Sequence, residues 1–248
     1  MRITGFTAAA VEAGIRYQDR LDLGLIYSDV PAVAAGVFTT NKVRAAPVLL
    51  DIDRLGRGKA QAVLVNSGNA NACTGSEGMR SAVAAAALAA RRLGIEEELV
   101  QVASTGVIGQ PLPVKPFEDA LPELVRRLSP DGFDDVARAI MTTDTAPKTS
   151  FRSIEIDGIP VSLLGIAKGS GMIMPDMATM LCFLMTDAQI VFPELQDVLR
   201  KCADRTFNRI TVDGDTSTND MVLVLANGRA GNRWIDDDNP ADREVFEQ

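Results

Sequence analysis

An α+β layered sandwich is the fold class this sequence predicts, and three observations predict it. Short apolar runs rich in Val, Ile and Leu outnumber the helical stretches. The runs come in clusters instead of alternating strictly with helices, which argues against a simple βαβ repeat. No internal repeat, low-complexity tract or long Pro/Gly/Ser linker interrupts the 248 residues. With 46% hydrophobic and 23% charged residues, the composition is that of a globular protein with a core of its own.

Taken in order, the first strands are expected at Leu23–Ser28, Ala34–Thr39, Ala46–Leu50 and Ala62–Asn66, each an apolar run bounded by polar or turn-forming positions. A helix follows at Gly78–Leu93, where Ala recurs on one face and Gly94 supplies the stop. Val100–Ser104 reads as a strand, and Val114–Arg127 and Gly132–Met141 as helices. Strands are expected again at Ile154–Ile156, Ile159–Lys168 and Met180–Thr186. Phe192–Phe207 reads as a helix with Pro193 in its first turn, where a missing N–H costs nothing. Arg209–Val212 and Met221–Ala226 complete the strands, and a last helix starts at Pro240.

Charge and composition exclude whole classes of function. A formal net charge of -8 argues against nucleic acid as a partner, because phosphate contacts need clustered Lys and Arg. Nothing is long and apolar enough to span a bilayer; the best run, Val83–Ala90, is short and closed by Arg80 and Arg91. The N-terminus lacks the apolar core and cleavage pattern of a secretory signal, so a cytoplasmic location is expected. Cys73, Cys182 and Cys202 form no paired motif and read as reduced thiols, buried as small apolar residues. The most informative count is that of histidine, which is zero. It removes Ser-His-Asp and Cys-His catalysis and most zinc sites, so no metal site is expected. An enzyme built from this chain needs another base: a carboxylate, a lysine, or an α-amine, whose pKa of about 7.7–8.0 suits neutral pH.

Several polar loops carry candidate chemistry, although each alone reads as an ordinary connection. Residues 167–173 (AKGSGMI) resemble a phosphate loop but have the wrong order of Gly and Lys, and an apolar strand rather than a helix follows. Thr105-Gly106, directly after a strand, pairs a hydroxyl with a flexible backbone N–H, a combination able to hold an oxyanion. Residues 141–145 (MTTDT) pack three hydroxyls and a carboxylate before Pro147, and on pattern alone form a helix-terminal loop. Residues 213–220 (DGDTSTND) lack calcium-loop spacing and read as a self-hydrogen-bonded link between strands. Residues 66–72 (NSGNANA) form a polar turn fit to cradle a polar ligand.

Those segments, in the order SDVPAVAAGVFTTNKVRAAPV, VLVNSGNANACTG, STGVIGQPLP, TTDTAPK, AKGSGMIMPDMATML and NRITVDGDTSTND, run nearly end to end. Together they resemble the ornithine acetyltransferase (glutamate N-acetyltransferase, ArgJ type) family of arginine biosynthesis. The resemblance implies a layered α/β/β/α sandwich. It also implies self-cleavage at Ala178-Thr179, giving an alpha fragment 1–178 and the start of a beta fragment 179–248. The freed Thr179 then holds nucleophile and base on one residue, so no histidine is needed. Its oxygen takes the acetyl group of N2-acetylornithine as an ester, and the glutamate amine removes it. Thr105 and Gly106 match the family's oxyanion donors. Thr145, Lys168 and Thr179 match its substrate contacts, and Lys168 suits a carboxylate as a point charge. No cofactor is implied; acetyl-CoA is an alternative acetyl donor. The two fragments are expected to assemble as a heterotetramer, two of each.

The chain departs from the family pattern in two places. Asp176 stands where Asn is usual, beside the expected cut. Family members also continue past Gln248 with a Glu and C-terminal Asn and Thr contacts, so the chain reads as a truncated member. Two other readings remain: a related self-cleaving aminopeptidase or amidase that passes its acyl group to water, and a non-catalytic metabolite-binding fragment.

Overall fold

The computed structural model of the chain describes residues 1–172 and 180–248. Its frame is a mixed sheet of eight strands: β1 (Phe6–Val11), β2 (Leu23–Phe38), β3 (Lys59–Asn66), β4 (Val100–Ser104), β5 (Lys148–Ile156), β6 (Ile159–Lys168), β7 (Leu181–Thr186) and β8 (Met221–Ala226). The order is β4-β3-β2-β8-β7-β6-β5, with β1 also paired to β2. Among the described residues six helices pack on it: α1 (Ala46–Leu55), α2 (Gly75–Leu93), α3 (Lys115–Arg126), α4 (Phe133–Ala139), α5 (Phe192–Arg205) and α6 (Pro240–Glu247).

The long strand β2 joins the two halves of this sheet. Two separate strands were expected here, Leu23–Ser28 and Ala34–Thr39. The chain instead continues through Asp29-Val30-Pro31, and its register against β3 shifts between Tyr27 and Ala32. Pro31 has no N–H to give a ladder, so an irregularity falls where the sequence permits one. The first part of β2 pairs with β1, the second part with β8.

Alternation along the strands sorts apolar side chains into three cores. Phe6, Ile26 and Val65 from the first half meet Ile166, Phe183 and Leu223 from the second in a central core. Their neighbours Leu25, Leu64 and Val102 point outward, against Ala86 of α2 and Leu121 of α3. On the opposite outer face, Cys182, Val222 and Val224 meet Leu195 and Leu199 of α5. Helices, half-sheet, half-sheet and helices follow one another: an α/β/β/α sandwich, as the resemblance implied.

Replacing Phe183 by Ala in the central core should cost about 3–5 kcal/mol, read as a lower urea midpoint with an unchanged slope. Its side chain is fully buried, on a strand whose two neighbours are both in the sheet.

Two expected strands are corrected. Ala46–Leu50 is not a strand but the start of α1; the run is short, and Pro47 sits in the first helical turn. Burial at Val48, Asp51 and Leu55 follows the helical period. Arg209–Val212 is no strand either: a 3-10 turn covers Phe207–Arg209, and Ile210 and Val212 are exposed. Strand β1 went unseen because FTAAAV is Ala-rich, and Ala is a poor strand former outside a sheet that buries it. The hairpin β5–β6 also starts earlier than expected, at Lys148. Asp157 and Gly158 make its turn with φ of 52° and 74°, the conformation that Asp-Gly favours. β5 is polar because it is an edge strand, where charged residues discourage further pairing.

Among the cysteines, Cys182 is buried and Cys202 half-buried, but Cys73 is exposed, contrary to expectation. It lies in the turn leading into α2 with φ of 57°, outside any apolar core.

Candidate active site

The polar loops that looked unremarkable singly come together at one end of the sandwich. Parallel pairing of β3 with β4 sets Asn66 beside Ser104, so the loops that leave both strands start side by side. Asn66 then acts as a staple: Ser104 Oγ donates to its Oδ1 at 2.6 Å, and its Nδ2 donates to Asn69 O at 2.9 Å. Asn219, ahead of β8, ties in the third loop by donating from Nδ2 to Ala70 O (2.6 Å) and Ser104 O (2.9 Å). Both asparagines are buried, where unmade hydrogen bonds would be costly.

Gly106 has to be glycine. Its φ is 134°, and a Cβ there would lie 2.4 Å from the carbonyl carbon of Gly68 and 2.6 Å from Asn69 N. The Thr105 and Val107 amides are engaged, by Asn66 O at 3.0 Å and Gly68 O at 3.3 Å. No acceptor among the described residues takes the Gly106 N–H. Beside it the buried Thr105 hydroxyl accepts from Lys168 Nζ at 3.1 Å, which leaves its own hydrogen to donate elsewhere.

Lys168 ends β6 almost fully buried, 2% exposed. Its ammonium also donates to Thr142 Oγ1 at 2.8 Å, leaving one N–H of three. Burial pushes its pKa below the usual lysine value, while Asp144 and Asp220 pull the other way and Lys148 adds to the lowering. Asp144 in turn accepts from Gly169 N at 2.7 Å and pairs with Lys148. Burial opposes ionisation of Asp144, but Lys148, the Gly169 N–H and Lys168 outweigh it and hold its pKa below the usual carboxylate range.

Asp220, part of the link between strands in the sequence reading, is fully buried. The register Leu181↔Met221 between β7 and β8 puts it next to Met180, whose N–H donates to Oδ1 at 2.8 Å. Burial pushes its pKa up to about 8; the Met180 N–H, the Ser217 hydroxyl and Lys168 only partly offset that. A cavity of about 310 Å³ opens alongside, lined by Lys148, Lys168, Gly169, Met180 and the apolar Phe207, Ile210 and Val212. A larger hollow of about 700 Å³ lies around Lys42, Arg44 and Cys73. It contains no buried charge and is a weaker candidate for chemistry.

The structure therefore brings Thr105, Gly106 and Lys168 together. Thr145 stands exposed on the loop next to Asp144 and makes none of these contacts. Thr179, Ala178 and Asp176 lie outside the described residues. Thr142, Asp144, Asn219 and Asp220 were missed as site residues; the one signal for them was the density of short polar side chains in loops flanked by apolar strands. Among the described residues no cluster of His, Cys, Asp and Glu suits a metal ion, and no helix is long and apolar enough to cross a membrane.

A bifunctional arginine-biosynthesis protein, ArgJ, of Desulfotalea psychrophila is 62% identical over 235 residues, covering 95% of this chain and 60% of its own length. The chain thus spans about 60% of the length of the curated relatives it matches. The ornithine acetyltransferase of Mycobacterium tuberculosis, solved with ornithine, superposes with a TM-score of 0.62 at 36% identity, covering 72% of this chain and 94% of that one. The L-aminopeptidase D-Ala-esterase/amidase of Ochrobactrum anthropi, a variant of the Ntn hydrolase fold, shares the fold alone: TM-score 0.55 at 11% identity over 99% of this chain and 82% of that one. The sequence pattern of the ArgJ family matches residues 7–248, and this chain belongs to the ArgJ family.

Proposed function

We propose that this chain carries the self-cutting acyl-transfer centre of a glutamate N-acetyltransferase. The observation that carries the reading is the pair of donors at Thr105 and Gly106. A hydroxyl and an unused N–H lie side by side, next to a buried ammonium, with the Met180 backbone anchored to Asp220. That is the arrangement needed to stabilise the oxyanion formed on a carbonyl oxygen when a nucleophile attacks the carbonyl carbon.

In this reading the Thr179 hydroxyl attacks the Ala178 carbonyl, water hydrolyses the ester, and Thr179 becomes a new N-terminus. Its amine then serves as the base that the histidine-free chain lacks. The hydroxyl attacks the acetyl carbonyl of N2-acetylornithine, the tetrahedral oxyanion rests on Thr105 and Gly106, and the amine passes its proton to the departing ornithine. Glutamate then takes the acetyl group from the threonine ester; acetyl-CoA is an alternative donor. Lys168 has one N–H left for a substrate carboxylate, and Thr145 lies at the rim of the same loop. The ornithine bound in the structure of the tuberculosis relative belongs to this substrate class.

Cutting does not require the halves to part. β8 is paired to β2 and β7 to β6, so strands after residue 179 are held on both sides by strands before it. Fragments 1–178 and 179–248 then form one unit, two of which make the expected heterotetramer in the cytoplasm.

An acceptor assay tests the transferase reading. With N2-acetylornithine as donor, adding glutamate should speed ornithine release and yield N-acetylglutamate. Release at one rate with or without glutamate, with free acetate as the product, would assign the site to the aminopeptidase or amidase class instead.

A further inference from the structure

Two of the ordered motifs line a hollow that the transfer chemistry does not use. Residues 40–44 (TNKVR) and Cys73-Thr74-Gly75 face a shared cavity of about 700 Å³. Lys42 and Arg44 bring two positive charges to it, and no carboxylate is among its lining residues. Neither charge is spent elsewhere. Lys42 makes no ion pair or hydrogen bond among the described residues, and Arg44 gives only its Nε, to Thr39 O at 3.1 Å. On a chain of net charge -8, two unpaired cations over one concavity make an anion the complementary ligand.

The backbone adds donors of the same sign. Cys73 and Gly75 have φ of 57° and 58°, and Thr74 between them lies at φ -110° and ψ 3°. Alternation of left- and right-handed residues gathers successive N–H groups on one concave side, a form that suits an anion. The N–H groups of Cys73, Thr74 and Gly75 meet no acceptor among the described residues. Thr74 does not cap α2 either, because its hydroxyl donates to Asn71 Oδ1 at 2.9 Å. The remaining wall is apolar, with Ala46 and Leu49 of α1 and Met79 of α2. Leu49 is 45% exposed there, so a ligand with an apolar part has a surface to cover.

We propose that this hollow binds a phosphate-bearing small molecule of the nucleotide class, its phosphates held by Lys42, Arg44 and the amides of residues 73–75, its apolar part on Leu49 and Met79. The proposal goes beyond the transfer reading and does not rest on Thr179. The site adjoins the loop that carries Thr105 and Gly106, since Gly109 N donates to Ala72 O at 2.9 Å, one residue ahead of Cys73.

Cys73 reports on occupancy, because it lines the hollow and is exposed while Cys182 is buried and Cys202 half-buried. Its alkylation by N-ethylmaleimide is followed by mass spectrometry on the protein as isolated, cut or uncut. ADP or desulfo-coenzyme A, each at ten times its calorimetric Kd, is expected to slow it about 10-fold, as only about one site in eleven stays open. Adenosine, which lacks phosphate, should leave the rate unchanged. Lys42→Glu has no partner to lose in the fold and should weaken both ligands about 10-fold or more. Protection by both probes assigns the site to the diphosphate they share, by ADP alone to a free nucleotide, by desulfo-coenzyme A alone to the larger carrier; each supports the proposal. Adenosine protecting as well as ADP, affinity unchanged in Lys42→Glu, or no protection by any probe would overturn it.

Discussion

Thr179→Ala is expected to run as one uncut chain on a denaturing gel and to transfer no acetyl group above background. The substitution removes the hydroxyl that both self-cleavage and acyl transfer require, and the alanine chain never gains the amine that serves as base. Nucleophile and base act as a unit, so losing either removes their joint effect, on the order of 10^6 in rate in other acyl-transfer enzymes. Thr179→Ser is the informative companion. It keeps an oxygen and, once cut, an amine, and should recover cutting and part of the turnover.

Thr105→Ala is expected to slow turnover about 100- to 1000-fold while the protein stays cut and folded. The hydroxyl lies beside the Gly106 N–H and is polarised by Lys168 at 3.1 Å, so its loss removes one of two donors to the oxyanion and leaves the other. The effect should fall on kcat rather than KM, because the charge it meets exists only in the transition state. The change also releases a buried lysine from one of its two hydroxyl partners, so a modest loss of stability should accompany it. Steady-state kinetics with N2-acetylornithine, together with a urea melt, separate the two effects.

Much of the fold was legible because its strands are long apolar runs with clear ends. β4, β6 and β8 begin and end where their sequences suggest, and α2 stops at Gly94 in the left-handed conformation that glycine takes readily. What failed depended on tertiary context. The Ala-rich β1 is a strand because β2 pairs with it, and the run from Ala46 is a helix because Asp51 and Arg54 cap the edge strand β4. Asp51 Oδ1 accepts from Val102 N at 2.9 Å, and Arg54 Nη1 donates to Val100 O at 2.6 Å. No window of a few residues contains that information.

The site was legible in a different sense. Thr105, Gly106 and Lys168 stood out through the ordered motifs, while their local patterns fitted plain turns equally well. Asp220 was invisible because its importance comes from register: parallel pairing of Leu181 with Met221 lays residue 220 against residue 180 across a separation of 40 positions. Asn219 joins three loops for the same reason, through carbonyls 115 and 149 residues away. Absence of histidine was the one compositional fact that bore on chemistry, since it left a residue carrying its own base as a natural solution.

The central claim is that the chain cuts before Thr179 and holds the acetyl group there. Intact-mass measurement after brief mixing with N2-acetylornithine, quenched in acid without glutamate, tests this most directly. The account predicts two fragments, 1–178 and one starting at Thr179, with the mass of one acetyl group added to the second and lost when glutamate is supplied. A single uncut chain, or two fragments with the acetyl group on neither or on the first, would contradict it.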